Sequence, residues 1–148
     1  MAPISVLLNG NVPDDKGLQV FYVTDQDNLG VALKNSAKGG VDSQDIYAAA
    51  ADGNVGLIPV KSEIGSAVLN GLNIVVAVTK HKLKTPNEQP TLNDISIVSP
   101  VYQVLDTTAI TNTTAAITSN SDTSNAWVYY LQSVSTPKSP AFLATALF

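Results

Sequence analysis

The sequence has no cysteine and no arginine, and only one histidine among its 148 residues. Without cysteine, the chain forms neither disulfides nor thiolate metal sites. The single histidine, His81, lies in the lysine-rich run 80–84, where we expect a solvated loop. A zinc site needs several nitrogen or sulfur ligands, and a nucleophilic triad needs a well-placed histidine. We therefore expect no metal site, no cofactor and no triad.

Charge is scarce and slightly negative. Charged residues make up 14% of the chain, the net charge is −4, and all eight basic residues are lysines. Nucleic-acid contacts require a basic face, and arginine is the main side chain that reads bases. We therefore expect no nucleic-acid partner.

Long apolar runs are also missing. No run approaches the roughly 18 residues that a membrane-spanning helix needs. The segment 1–5 has neither the basic start nor the apolar run of a signal peptide. We expect a soluble protein without a membrane partner, either cytoplasmic or exported by a non-classical route.

Short apolar segments separated by polar turns fill the chain. Hydrophobic residues make up 45% of it, and serine, threonine, asparagine, alanine and valine are common. Asn70-Gly71 between two apolar runs is the strongest hairpin signal. The run 35–44 reads as a loop, and no long amphipathic pattern of helical period is visible. The composition and pattern predict an all-β, antiparallel protein.

The segment 125–131 is the clearest strand, because it is rich in aromatic and β-branched residues and has no glycine or proline. Alternation places Trp127 and Tyr129 on one face, and Val128 and Tyr130 on the other. Both faces are apolar, so we expect this strand to be covered on both sides.

Three strands repeat at equal spacing. The segments 18–23, 72–77 and 126–131 align with Gln19, Asn73 and Trp127 at one position, since 73 − 19 = 54 and 127 − 73 = 54. A shorter strand precedes each, and a third strand follows each. We interpret residues 1–148 as a single all-β domain of three repeats, at about 1–60, 61–112 and 113–148.

Units of three to four antiparallel strands at this period are typical of β-propeller blades. Three blades do not close a ring, and an open half-ring leaves apolar faces uncovered. We therefore expect a homodimer or higher homo-oligomer, with two chains forming a six-bladed ring. The alternative is a single-chain β-sandwich or barrel, in which the equal spacing is a coincidence.

The repeat strands resemble those of the fungal fucose-specific lectins, six-bladed propellers with a second strand of the type Leu-Arg-Val-Tyr-Tyr. The segments 18–22 and 126–130 carry the likeness. The resemblance implies a propeller and sugar binding. The family binds fucose through an arginine on the second strand, where Gln19, Asn73 and Trp127 stand here. A glutamate of the third strand is replaced by Val31, so the resemblance supports the fold more than a fucose site.

Binding is therefore the function class that the sequence favours. A sugar site needs an aromatic face and neutral hydrogen-bonding groups, which Gln19, Asn73 and Trp127 could supply in related pockets between blades. We expect a non-enzymatic, lectin-like protein that binds a glycan or a small polar ligand. In the simpler interpretation, Trp127 only packs between blades. The alternatives are a structural, self-assembling β-protein without ligand and a small enzyme with a carboxylate-based site.

Overall fold

The structure is a computed structural model, and the regular structure of the residues that it describes is all β. It describes residues 3–11, 13, 16–24, 27–34, 41–47, 58, 63–80, 93–100, 103–109, 115–120, 125–132 and 141–147. Within these residues no helix is long and apolar enough to cross a membrane. Residues 81–84 of the lysine-rich run lie outside the described residues, whereas Lys80, expected in that loop, is the last residue of a strand.

The eleven strands within these described ranges form three antiparallel meanders, in which consecutive strands are neighbours. The first meander comprises β1 (Ile4–Leu8), β2 (Leu18–Val23), β3 (Leu29–Lys34) and β4 (Val41–Tyr47). The second comprises β5 (Ile64–Leu69), β6 (Leu72–Lys80), β7 (Asn93–Ser99) and β8 (Gln103–Ala109). The third comprises β9 (Ala115–Ser119), β10 (Ala126–Gln132) and β11 (Ala141–Leu147).

The first meander is a sheet of its own, whereas the pair Gln132–Ala109 joins the second and third, with no other pair between them in the part of the chain that the structure describes. The all-β antiparallel class predicted from the sequence is confirmed. The predicted loop over 35–44 is wrong from Val41 onward, because β4 begins there and pairs with β3. The number of blades in a closed propeller stays a prediction.

The β5–β6 hairpin follows directly from its sequence. Asn70 and Gly71 have φ values of 50° and 77°, so both occupy the left-handed region. Asparagine and glycine tolerate that conformation best, and a two-residue turn of this kind matches the twist of the strands it joins. The turn closes on the pair Leu69–Leu72 and thereby sets the register of the hairpin.

The three meanders pack face to face, with the second in the middle. Val75 and Ala77 of β6 lie in one apolar cluster with Phe21 and Val31 of the first meander. Successive strand residues point to opposite faces. The alternate residues of β6 therefore fall in a second cluster, shared with the third meander: Ile74, Val76 and Val78 against Ala126, Val128 and Tyr130. The strand β6 of the middle meander is thus covered on both faces.

The strand that the sequence singled out, β10, is covered on only one face within the chain. Val128 and Tyr130 are buried against the second meander. On the other face Trp127 is partly buried and Tyr129 is 41% exposed. We expected β10 to be buried on both faces, and for a single chain this expectation is wrong. The strand that is buried on both faces is β6.

The first strands of the meanders also meet, since β5 packs against β1 and against β9. The hydroxyl oxygens of Ser5 and Ser66 lie 2.7 Å apart, which joins β1 to β5. Gly65 of β5 lies so close to β9 that an added Cβ would be 2.9 Å from the backbone nitrogen of Ile117. A residue without a side chain is therefore required at this approach.

Candidate functional site

Gln19, Asn73 and Trp127 occupy the same position along their strands. Each is the second residue of its strand, in β2, β6 and β10. The residue immediately before each of them belongs to the last cross-strand pair before the hairpin turn. These pairs are Leu8–Leu18, Leu69–Leu72 and Ser119–Ala126. The equal spacing in the sequence therefore reflects an equal position in the hairpin.

The three side chains nevertheless lie on faces that are not equivalent. Gln19 shares the face of Phe21, which is turned toward the second meander. Asn73 shares the face of Val75, which is turned back toward the first. Trp127 lies on the face of β10 opposite to Val128, away from the second meander. Gln19 and Asn73 therefore meet, and Trp127 is separate from both.

Gln19 and Asn73 belong to an amide cluster between the first two meanders, completed by Asn9. The Asn9 Nδ2 donates to the Asn73 Oδ1 at 2.6 Å, and the Asn73 Nδ2 donates to the Gln19 Oε1 at 2.5 Å. The Gln19 Nε2 donates to the Lys16 carbonyl oxygen at 3.2 Å. The backbone N–H of Asn11 donates to the Asn9 Oδ1 at 2.9 Å.

This cluster satisfies its own hydrogen-bonding groups. Asn9 and Gln19 are buried, and buried amides need partners. Each carbonyl oxygen of the three amides accepts a hydrogen bond, and each amino group donates at least one. In this conformation the cluster holds the first and second meanders together. The sequence marks Asn9 only as part of a turn, because its partner Asn73 is 64 residues away.

On β9 and β10, the outer face of the third meander carries Ala116, Thr118, Trp127 and Tyr129. Trp127 pairs with Thr118, and Tyr129 pairs with Ala116, across β9 and β10. Thr118 and Ala116 are exposed, and Tyr129 is 41% exposed. Two aromatic rings thus lie side by side on an open sheet surface, between a small residue and a hydroxyl group. This surface offers stacking area and a neutral hydrogen-bonding group.

The outer face of the first meander is a second open surface, and the part of it on β1 and β2 is apolar but for the Tyr22 hydroxyl. This part consists of three cross-strand pairs: Ile4–Tyr22, Val6–Val20 and Leu8–Leu18. Ile4, Val6 and Leu8 are 61%, 59% and 71% exposed. Tyr22 lies over Gly30 of β3, where an added Cβ would overlap its ring. Exposed apolar patches of this kind mark interaction surfaces.

An ion pair lies where the β2–β3 turn meets the end of β6. The Lys80 Nζ is 2.7 Å from the Asp27 Oδ2. Asp27 has a φ of 60° and its N–H donates to the Thr24 carbonyl, so the segment forms the tight turn of a hairpin. Among the residues with described positions, no three acidic, histidine or cysteine side chains are grouped so that they could hold a metal ion.

Comparison with protein families, curated proteins and solved structures finds no match to this chain. The likeness of its strands to the fungal fucose-specific lectins therefore stays a prediction. Of the three residues predicted to bind a ligand, Trp127 has access to solvent at the outer face of the third meander, whereas Gln19 is buried in the amide cluster.

Proposed function

We propose that this protein is a non-enzymatic, lectin-like module that binds a glycan at the outer face of the third meander. The observation that supports the proposal is the pair of adjacent aromatic side chains, Trp127 and Tyr129, on an open sheet surface. Sugar rings carry apolar C–H faces that stack on such rings, and their hydroxyl groups take hydrogen bonds from neutral donors and acceptors. Thr118 supplies a hydroxyl group beside Trp127.

In this proposal Gln19 and Asn73 act at a distance from the sugar. Their amide groups are engaged with each other, with Asn9 and with the Lys16 carbonyl, so they fix the first two meanders rather than line an open surface. A neutral glycan fits better than an anionic one. The strands β9 and β10 contain no lysine, so they supply no cation to pair with an acid.

The test is binding to an array of immobilised neutral and acidic oligosaccharides, fucosylated ones included. We expect wild-type protein to retain a neutral glycan, and Trp127→Ala to weaken that binding by roughly ten- to a hundredfold, since a stacked indole contributes about 1.5–3 kcal/mol. Trp127→Phe keeps an aromatic surface and should recover part of the affinity.

Val104→Ala is the matched control, because Val104 is an exposed apolar residue of β8 outside this face. Circular dichroism of every variant establishes that the fold is retained. A folded wild-type protein that binds no glycan on the array, or a Trp127→Ala variant that binds as well as wild type, would refute the proposal.

A structural, self-assembling role is a second candidate, and the apolar outer face of the first meander favours it. Such a face is costly to leave in water, because burial of apolar surface contributes about 25 cal/mol per Å². Self-association that is indifferent to every glycan would support this candidate over the first.

A further inference from the structure

The chain leaves two sheet faces open, one at each end of its stack of meanders. The outer face of the first meander carries Ile4, Val6 and Leu8, and the outer face of the third carries Trp127 and Tyr129. Four of the strands in these two meanders, β1, β2, β9 and β10, contain no charged residue, whereas β3 of the first meander ends in Lys34, which pairs with Leu18. The parts of both surfaces that lie on these four strands therefore lack the charges that would oppose burial.

The contact that these faces would make already occurs twice inside the chain. The second meander packs one face on the first meander, with Val75 and Ala77 in that cluster. It packs its opposite face on the third meander, with Ile74, Val76 and Val78 in the other cluster. Each meander thus has a face for the preceding neighbour and a face for the following one. Among the described residues, no meander packs on the outer face of the first or on the outer face of the third.

We propose that a second copy of this chain supplies both missing neighbours, so that the outer face of one copy's first meander packs on the outer face of the other copy's third meander. The pairing is head-to-tail, and it continues the interface by which the meanders already pack within one chain. Two copies joined in this way at both ends form a closed pair, in which neither face stays open.

The composition of β10 supports this occupant. Its two faces are both apolar, like those of β6, which is covered on both sides. In one chain only the face with Ala126, Val128 and Tyr130 is covered. In the proposed pair, the other face of β10 packs against Ile4, Val6 and Leu8 of the second copy. Both faces of β10 are then buried against apolar side chains.

The inference stands on the two faces and does not require that the proposed glycan binding be correct. If both hold, a glycan and a second copy exclude each other at Trp127, because they use the same surface. Glycan binding is therefore also measured on Val6→Lys, in which Trp127 stays uncovered, so failure of one proposal is distinguishable from failure of the other.

The experiment measures the mass in solution, without any glycan, from micromolar to millimolar concentration. The variants are Val6→Lys in the first face and Thr118→Lys in the third. Both positions are exposed, so a lysine is tolerated in the single chain. Gln103→Lys adds the same charge at an exposed position of β8 and is the control. Circular dichroism and thermal unfolding verify that each variant is folded.

We expect wild type and Gln103→Lys to have the mass of two chains. Val6→Lys and Thr118→Lys should each weaken the pairing by on the order of a hundredfold or more, because each buries an unpaired charge. An equimolar mixture of the two variants should again form two-chain complexes, since one contact in each mixed pair joins two unmodified faces.

Trp127 provides an independent signal, because it is the only tryptophan of the chain. Its emission should shift to shorter wavelength as wild-type protein is concentrated, and the shift should be absent in Val6→Lys, which leaves the tryptophan in place. A wild-type protein that is a single chain throughout the range overturns the inference. So does a pair that Thr118→Lys leaves intact, or a variant mixture that stays single-chain.

Discussion

Replacement of Gly65 by alanine tests how closely the second and third meanders approach each other. A Cβ built at Gly65 would lie 2.9 Å from the Ile117 nitrogen, and 3.0 Å from both the Ala115 carbonyl oxygen and the Ala116 Cα. Carbon atoms in good contact are roughly 3.5–4.0 Å apart. All three neighbours are backbone atoms, which do not rotate away as the end of a flexible side chain does. The variant therefore requires β5 and β9 to separate.

The size of the effect follows from that separation. A gap of about 0.5–1 Å forfeits roughly a quarter to a half of the attraction between packed atoms. Overpacking of a well-packed core by one methyl group costs about 1–3 kcal/mol. For a chain of this length, 1 kcal/mol lowers the melting temperature by roughly 2–4 °C, so we expect Gly65→Ala to melt about 2–12 °C below wild type.

The assay is reversible unfolding by heat and by urea, followed by far-ultraviolet circular dichroism. Gly10→Ala is the matched control, because a Cβ at Gly10 meets no atom within 4 Å. The control should unfold within about 0.5 kcal/mol of wild type, as surface substitutions do. If Gly65→Ala proved as stable as Gly10→Ala, the close approach of β5 to β9 would not exist in the protein.

Two further variants probe the amide cluster and the first meander. Asn73→Asp removes the amino group that donates to the Gln19 Oε1, so the free energy of unfolding should fall by about 1–3 kcal/mol. The control Gln103→Glu adds the same charge at an exposed site and should change the free energy of unfolding little. Equal losses in the two variants would contradict the hydrogen bond between Asn73 and Gln19. Gly30→Ala should cost about 1 kcal/mol by displacing the Tyr22 ring, and urea unfolding should show that this loss vanishes in a Tyr22→Ala background. If Gly30→Ala still lowers the free energy of unfolding in the Tyr22→Ala background, the loss does not come from the overlap with the Tyr22 ring.

Much of the local structure could be predicted from the sequence, because local chemistry determines it. Strong β-formers such as Val128 and Tyr130 lie in a strand, and Asn70-Gly71 makes the tight turn that its two left-handed residues require. The strand β4 was missed because its sequence, Val41–Tyr47, is largely polar and follows a Gly-Gly pair, which together indicate a loop.

The candidate site was less predictable, because its formation depends on contacts far apart in the sequence. Asn9 looks like a turn residue, yet it is buried and bonds to Asn73. The aromatic pair of Trp127 and Tyr129 was visible as a pattern. That this pair, rather than the face with Tyr130, stays open depends on which side of β10 meets the second meander.

The sequence by itself determined that the chain is all-β, where its hairpins close, and that Gln19, Asn73 and Trp127 share one position along their strands. Only the tertiary structure decided which way each side chain points. Strand residues alternate between faces, so a shift of one residue in the hairpin moves a side chain to the other side of the sheet. The two-residue turn at Asn70-Gly71 places its closing pair on the face toward the third meander, whereas the longer β9–β10 connection places its pair toward the second. Asn73 therefore meets Gln19 between two sheets, and Trp127 is left on an open one.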